Sequence, residues 1–159
     1  MASSPTFEDR KTLATDCFKR GAAAMKMQNW EYACEMLRQS VNLAPDDLLY
    51  RQALRAATER RYQNNGTGIV MAEMRLIGTK STIKKNRLLC DWNSVLFSCE
   101  DGLALNPWDA ALQANLGDAA YVMGWLDIAI WSYEGAVKQD RFNEAYTNTL
   151  LKMVEERGD

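Results

Sequence analysis

Histidine is missing altogether from this 159-residue chain. Its absence removes histidine-containing zinc sites, Ser-His-Asp triads and Cys-His dyads together. The four cysteines, Cys17, Cys34, Cys90 and Cys99, form no C-x-x-C pair. They read as reduced thiols within helical patterns, not as a metal or disulfide framework. Proline is confined to Pro5, Pro45 and Pro107. No apolar run approaches the ~20 residues that cross a bilayer. The opening MASSPTFEDR lacks the basic-then-apolar order of a secretory signal. The sequence therefore reads as soluble and cytoplasmic, with no membrane partner. There is no G-x-x-x-x-G-K-[ST] loop, no dinucleotide fingerprint after a strand, and no nucleophile beside a base. The expectation is a protein that is not an enzyme and that carries no metal and no cofactor.

What is present favours helix: Ala, Leu, Met, Glu, Lys, Arg and Gln are plentiful. Helices are expected at about 7–27, 30–43 and 47–63, with Thr6 capping the first. A glycine-bearing stretch follows, holding Gly66, Gly68 and Gly78, with a short helix at 70–77. Ser81 is then expected to cap a helix running to about Cys90. Further helices are expected at about 92–105, 109–123, 126–139 and 143–156. Charge is unevenly spread. Nine bases lie between Leu48 and Cys90 against Glu59 and Glu73, whereas from Asp91 onward there are twelve acids, Asp91 included, against four bases. A basic middle and an acidic C-terminal part create a field that can steer partners.

The helices repeat. Gly21 is followed by Ala33, Ser40 and Pro45 at steps of 12, 7 and 5, and Gly117 by Ala129, Ala136 and Arg141 at the same steps. Leu37 and Tyr133 each stand four residues after the middle small residue, and Cys99 is their shorter counterpart. Small residues let two antiparallel helices approach, bulky ones fill the gaps between ridges, and proline closes the second helix. A helix pair cannot bury its apolar stripe alone, so copies stack into a solenoid. Pro45 and Pro107 stand 62 residues apart, six short of two full periods of 34, so the middle is a degenerate, loop-rich unit.

These residues resemble the tetratricopeptide repeat (TPR). The likeness is fullest over Ala110–Asn143, with Leu116–Gly117, Gly124, Ala129, Tyr133 and Ala136, and fair over Ala14–Asp47. The departures are Arg20, Cys17, Gln113, Ala24, Ala120 and Arg141, which stand where the family favours other residues. The resemblance implies an all-α, right-handed superhelical solenoid of antiparallel helix pairs. It implies one TPR-like domain over 1–159: a repeat at 14–47, a degenerate unit at 48–75, and repeats at 76–109 and 110–143. A capping helix or truncated repeat at 144–159 completes it. Shifting LLKMVEERGD back by 34 residues lays Gly158 on Gly124, which suggests a fragment of a larger protein that continues past Asp159.

In this family the first helix of each repeat lines the concave face, which implies a scaffold that binds a peptide or partner helix there. By position, the partner-binding residues are Phe18, Met25, Lys80, Lys84, Arg87, Asp118 and Tyr121. Lys80, Lys84 and Arg87 recur at i, i+4 and i+7 and share a helix face suited to an acidic protein or peptide. The Lys and Asn that some members use to clamp a chaperone's terminal carboxylate are not both present. Phe18 and Ala22 hold those places in the first unit, and Lys84 replaces the Asn in the middle one. Two alternatives remain: self-assembly as a homo-oligomer, joining the basic middle to the acidic C-terminal part, and nucleic-acid binding through 48–90. Overall acidity and the lack of a basic-aromatic module disfavour nucleic acid.

Overall fold

The computed structural model describes residues 3–158, and every regular element among them is an α-helix. In chain order these are α1 (Phe7–Lys26), α2 (Trp30–Leu43), α3 (Leu48–Arg61), α4 (Ala72–Arg75) and α5 (Ile77–Leu88). After them come α6 (Trp92–Leu105), α7 (Ala110–Val122), α8 (Leu126–Gln139) and α9 (Glu144–Arg157). No described helix is long and apolar enough to cross a membrane. The chain forms two compact units, Met1–Asn64 and Asn65–Asp159. Their boundary falls within the segment expected to be degenerate. Residues 14–47 thus lie in the first unit, and residues 76–109 and 110–143 in the second.

In the first unit, a capping box opens α1. The Thr6 hydroxyl accepts from the Asp9 backbone N–H while the Asp9 carboxylate accepts from that of Thr6, satisfying two otherwise orphaned donors. At Gly21 the two helices meet so closely that an added Cβ would lie 2.6 Å from Leu37 Cγ. Further along, the Ser40 hydroxyl donates to the Ala14 carbonyl at 3.0 Å. Contacts that descend α1 ascend α2, so the pair is antiparallel. Leu54 and Ala57 of α3 then close over Ala33, Leu37 and Val41. Arg51, only 1% exposed, is oriented by donating Nε and Nη2 to the Pro45 carbonyl at 3.0 and 2.8 Å.

The second unit repeats this construction. Gly117 of α7 would carry a Cβ 2.5 Å from the Tyr133 ring of α8. Gln113 donates to the Pro107 carbonyl at 2.8 Å, six residues back as Arg51 is from Pro45. The α5–α6 pair inverts the size relation. Ile83 stands where the other pairs have glycine, Cys99 stands where they have Leu37 and Tyr133, and both are buried in one cluster with Leu76, Val95, Leu112 and Leu116. Large against small is conserved as a sum while the partners exchange roles.

One turn ends the first helix of each pair. Gln28, Cys90 and Gly124 adopt left-handed backbone, with φ of 58°, 54° and 82°. In each case the next N–H reaches back five residues at 2.9 Å: Asn29 to Ala24, Asp91 to Asn86, and Trp125 to Ala120. This is the Schellman arrangement. The α3 helix ends the same way, with Gln63 at φ 56° and Asn64 bonded to Glu59 at 2.9 Å. No second helix follows it. The chain instead enters a pinned loop, where the Asn65 side chain accepts from the N–H groups of Thr67 and Gly68 and donates to the Gly68 carbonyl. Gly68, at φ 78°, presses against the end of α6, where any Cβ would sit 2.2 Å from the Leu105 carbonyl oxygen.

Two local expectations change. The short helix spans Ala72–Arg75 rather than 70–77, because Met71 takes left-handed backbone at φ 59°. Ser81 does not cap α5. That helix already begins at Ile77, since the buried Leu76 has right-handed helical backbone and carries α4 almost directly into α5.

Candidate partner-binding surface

The second unit lays α5, α7 and α9 side by side, and polar links tie them. Lys80 of α5 pairs with Asp109, the N-cap of α7, at 2.7 Å. Arg87 pairs with Asp118 at 2.7 Å, donates to Asn115 at 3.0 Å, and lies 5.5 Å from the Trp92 ring centroid. Tyr121 of α7 donates to Glu156 of α9 at 2.7 Å, across a separation of 35 residues. That is nearly one repeat length, as expected for first helices of successive repeats.

Asp118 is the hub of this surface, because it also accepts from the Tyr133 hydroxyl of α8. Burial, followed by this hydrogen bond, pushes the Tyr133 phenol well above the ordinary tyrosine range. The bond to Glu156 raises Tyr121 as well. Both ion pairs are partly solvated, with side-chain exposures of 41% for Lys80 and 35% for Arg87. Each is therefore worth about 1 kcal/mol or less after screening, and acts mainly to fix register.

The expected basic stripe is thus largely engaged within the protein. Lys80 and Arg87 reach α7, whereas Lys84, one turn from each, stands exposed between them. Leu88, one turn on from Lys84 along α5, and Tyr121 and Val122, at the end of α7, are exposed at 80%, 43% and 54%. Phe18 and Met25 lie in the first unit, both half-buried and packed against its core. Phe18 stacks on Tyr50 of α3 at 5.0 Å between centroids. The Thr15 and Tyr50 hydroxyls lie 3.4 Å apart across another 35-residue separation. Beside them opens a cleft of about 430 Å³, lined by Phe7, Arg10, Lys11, Thr15, Asp46 and Tyr50 among others. Sequence reasoning missed Asp109 and Asn115 as partners of the stripe, and Glu156 as the partner of Tyr121. The available signal was the 35-residue step from Tyr121 to Glu156, and 29 and 31 residues for the two ion pairs.

No family model and no curated protein matches the chain. Solved structures do. In fold, the chain is similar to TPR domains. One is the C-terminal TPR-containing domain of an FK506-binding protein from Plasmodium falciparum, at 13% identity and TM-score 0.49, covering 96% of this chain and 93% of that one. Another is the first TPR of Spaghetti (RPAP3) bound to an HSP90 peptide, at 15% and 0.45, covering 94% and 96%. A third is the Sgt2 TPR domain from Aspergillus fumigatus, at 16% and 0.44, covering 98% and 82%. The repeated glycines of this chain are both close helix contacts, Gly21 on Leu37 and Gly117 on Tyr133.

Proposed function

We propose that the protein is a protein–protein interaction scaffold that takes a peptide or partner helix on the exposed faces of its first helices. One observation carries this reading. The row of α5, α7 and α9 is tied by Lys80–Asp109, Arg87–Asp118 and Tyr121–Glu156, so the surface is formed before any partner arrives. A preformed surface avoids part of the ordering entropy of binding. Lys84, exposed on α5 one turn before the exposed Leu88, is the anchor for a carboxylate on the partner, and the exposed Tyr121 and Val122 of α7 offer apolar contacts. Lys80, Arg87 and Asp118 position that surface. Phe18 and Met25, beside Tyr50, supply an aromatic and thioether contact on the first unit.

A selection from a random peptide library, followed by titration of the winners, tests this. The expected winners carry an acidic residue beside apolar ones and bind at least tenfold more weakly to Lys84→Glu. Asp101→Lys, a charge reversal on α6, should leave their affinity unchanged. Winners indifferent to Lys84→Glu, or weakened equally by Asp101→Lys, would remove the proposed face.

A further inference from the structure

The charges on the face of α5, α7 and α9 limit what it can hold. The α5 helix carries four bases, Lys80, Lys84, Lys85 and Arg87, and no acid. Two of the four are already answered, Lys80 by Asp109 and Arg87 by Asp118, each at 2.7 Å. Lys85 stands about a hundred degrees round the helix from Lys84, off the shared stripe. On α9, Lys152 has Glu155 and Glu156 one turn beyond it, so acids on its own helix offset its charge. Lys84 alone in the stripe is exposed and makes no ion pair among the described residues.

Asp118 stands where a second partner carboxylate would come. It is the repeat counterpart of Lys84, 34 residues on, at the matching position of the neighbouring first helix. Two donors hold it, the Arg87 guanidinium and the Tyr133 hydroxyl, and Asn115 accepts from the same Arg87 nitrogen. A carboxylate on Lys84 gains a cation. One reaching for Arg87 meets the Asp118 carboxylate already on that guanidinium, and one reaching for Lys80 meets Asp109. Like charges brought face to face across an interface suppress the wrong partner.

We infer, resting on the reading of Lys84 as the partner's anchor, that this face takes one acidic side chain and rejects a second, and that Asp118 sets the limit. The occupant is a segment with a single Asp or Glu among apolar residues, not an acidic run. Asp118 acts through Arg87, as a positioning residue that decides specificity. Removing its charge should therefore open a second carboxylate site one turn from the first.

A glutamate scan of a peptide selected on the intact protein tests this. A winner weakened by Lys84→Glu is remade with Glu at each of its other positions in turn. Each form is titrated into the wild type, Asp118→Asn, and Asp118→Asn with Arg87→Gln. Asparagine keeps an oxygen for the Tyr133 hydroxyl and turns an amide toward Arg87, which frees the guanidinium; circular dichroism and melting verify the fold. Asp109→Asn, which retains a helix cap, frees Lys80 in the same way and gives a second, independent variant. No added Glu is expected to tighten binding to the wild type. At one or more positions it should tighten binding to Asp118→Asn at least fivefold, and Arg87→Gln should abolish that gain. A fivefold gain on the wild type would overturn the inference. So would the absence of any gain on both asparagine variants, or a gain on Asp118→Asn that survives Arg87→Gln. If no winner is weakened by Lys84→Glu, the face itself fails, and the limit with it.

Discussion

At the residue scale, each helix pair is set by one large and one small side chain in contact, and it is their combined volume that matters. Gly117 of α7 accommodates Tyr133, whereas in the preceding pair Ile83 is accommodated by Cys99. Gly117→Ala should destabilise the protein by about 1–3 kcal/mol, because the new methyl meets the ring rather than open space. In the first unit, Gly21→Ile alone should be worse than Gly21→Ile with Leu37→Cys, which copies the α5–α6 arrangement. Urea denaturation of the two variants compares them directly. The turn residues give a change of opposite sign. Gln28 carries a Cβ at φ 58°, where its repeat counterpart Gly124 has none, so Gln28→Gly should stabilise by about 1 kcal/mol. Reactivity follows burial. Cys34 is buried, and burial raises its thiol above the ordinary range, whereas Cys90 is exposed. In the native protein a thiol reagent should label Cys90 rapidly and Cys34 only after unfolding.

At the element scale, sequence patterns placed most helices and failed where a pattern carries no register. The boundaries 30–43 and 92–105 fit cap and period, since Asn29 and Asp91 cap their helices and proline ends them, whereas 126–139 rests on period alone, Trp125 before it making no side-chain cap bond. The start of α5 was not legible. Ser81 has the side chain of a cap, but the buried Leu76 is what joins α4 to α5. The i, i+4, i+7 basic stripe was legible as a face, and its internal pairing was not. Which acid meets Arg87 depends on how α7 lies beside α5, and the intervening α6 sets that. The Arg87–Asp118–Tyr133 link also makes a prediction about pH. Its tyrosine is held neutral in the folded state above its ordinary value near 10, so its stabilising contribution is intact below pH 10 and is lost as pH rises further. Tyr133→Phe should make the fall of stability above pH 10 shallower, as followed by urea midpoints from pH 8 to 11.

At the scale of the whole molecule, sequence and structure agree on helix pairs with a 34-residue spacing, interrupted in the middle. The interruption could be read from its length, because Pro45 and Pro107 stand six residues too close for two repeats. Its form could not be read, because Gly66, Gly68 and Gly78 carry no period. Only the folded loop shows Gly68 wedged against Leu105 and the apolar tip at Val70 held outward. The functional account rests on the face of α5, α7 and α9. Amide chemical-shift mapping tests it most directly, by titrating a peptide selected for binding into the isotopically labelled protein. The account predicts that the largest perturbations in the second unit fall on the stretches around Lys84–Leu88, Asp118–Val122 and Glu156. Perturbations centred instead on the second helices, around Phe97 of α6 or Glu134 of α8, would contradict it.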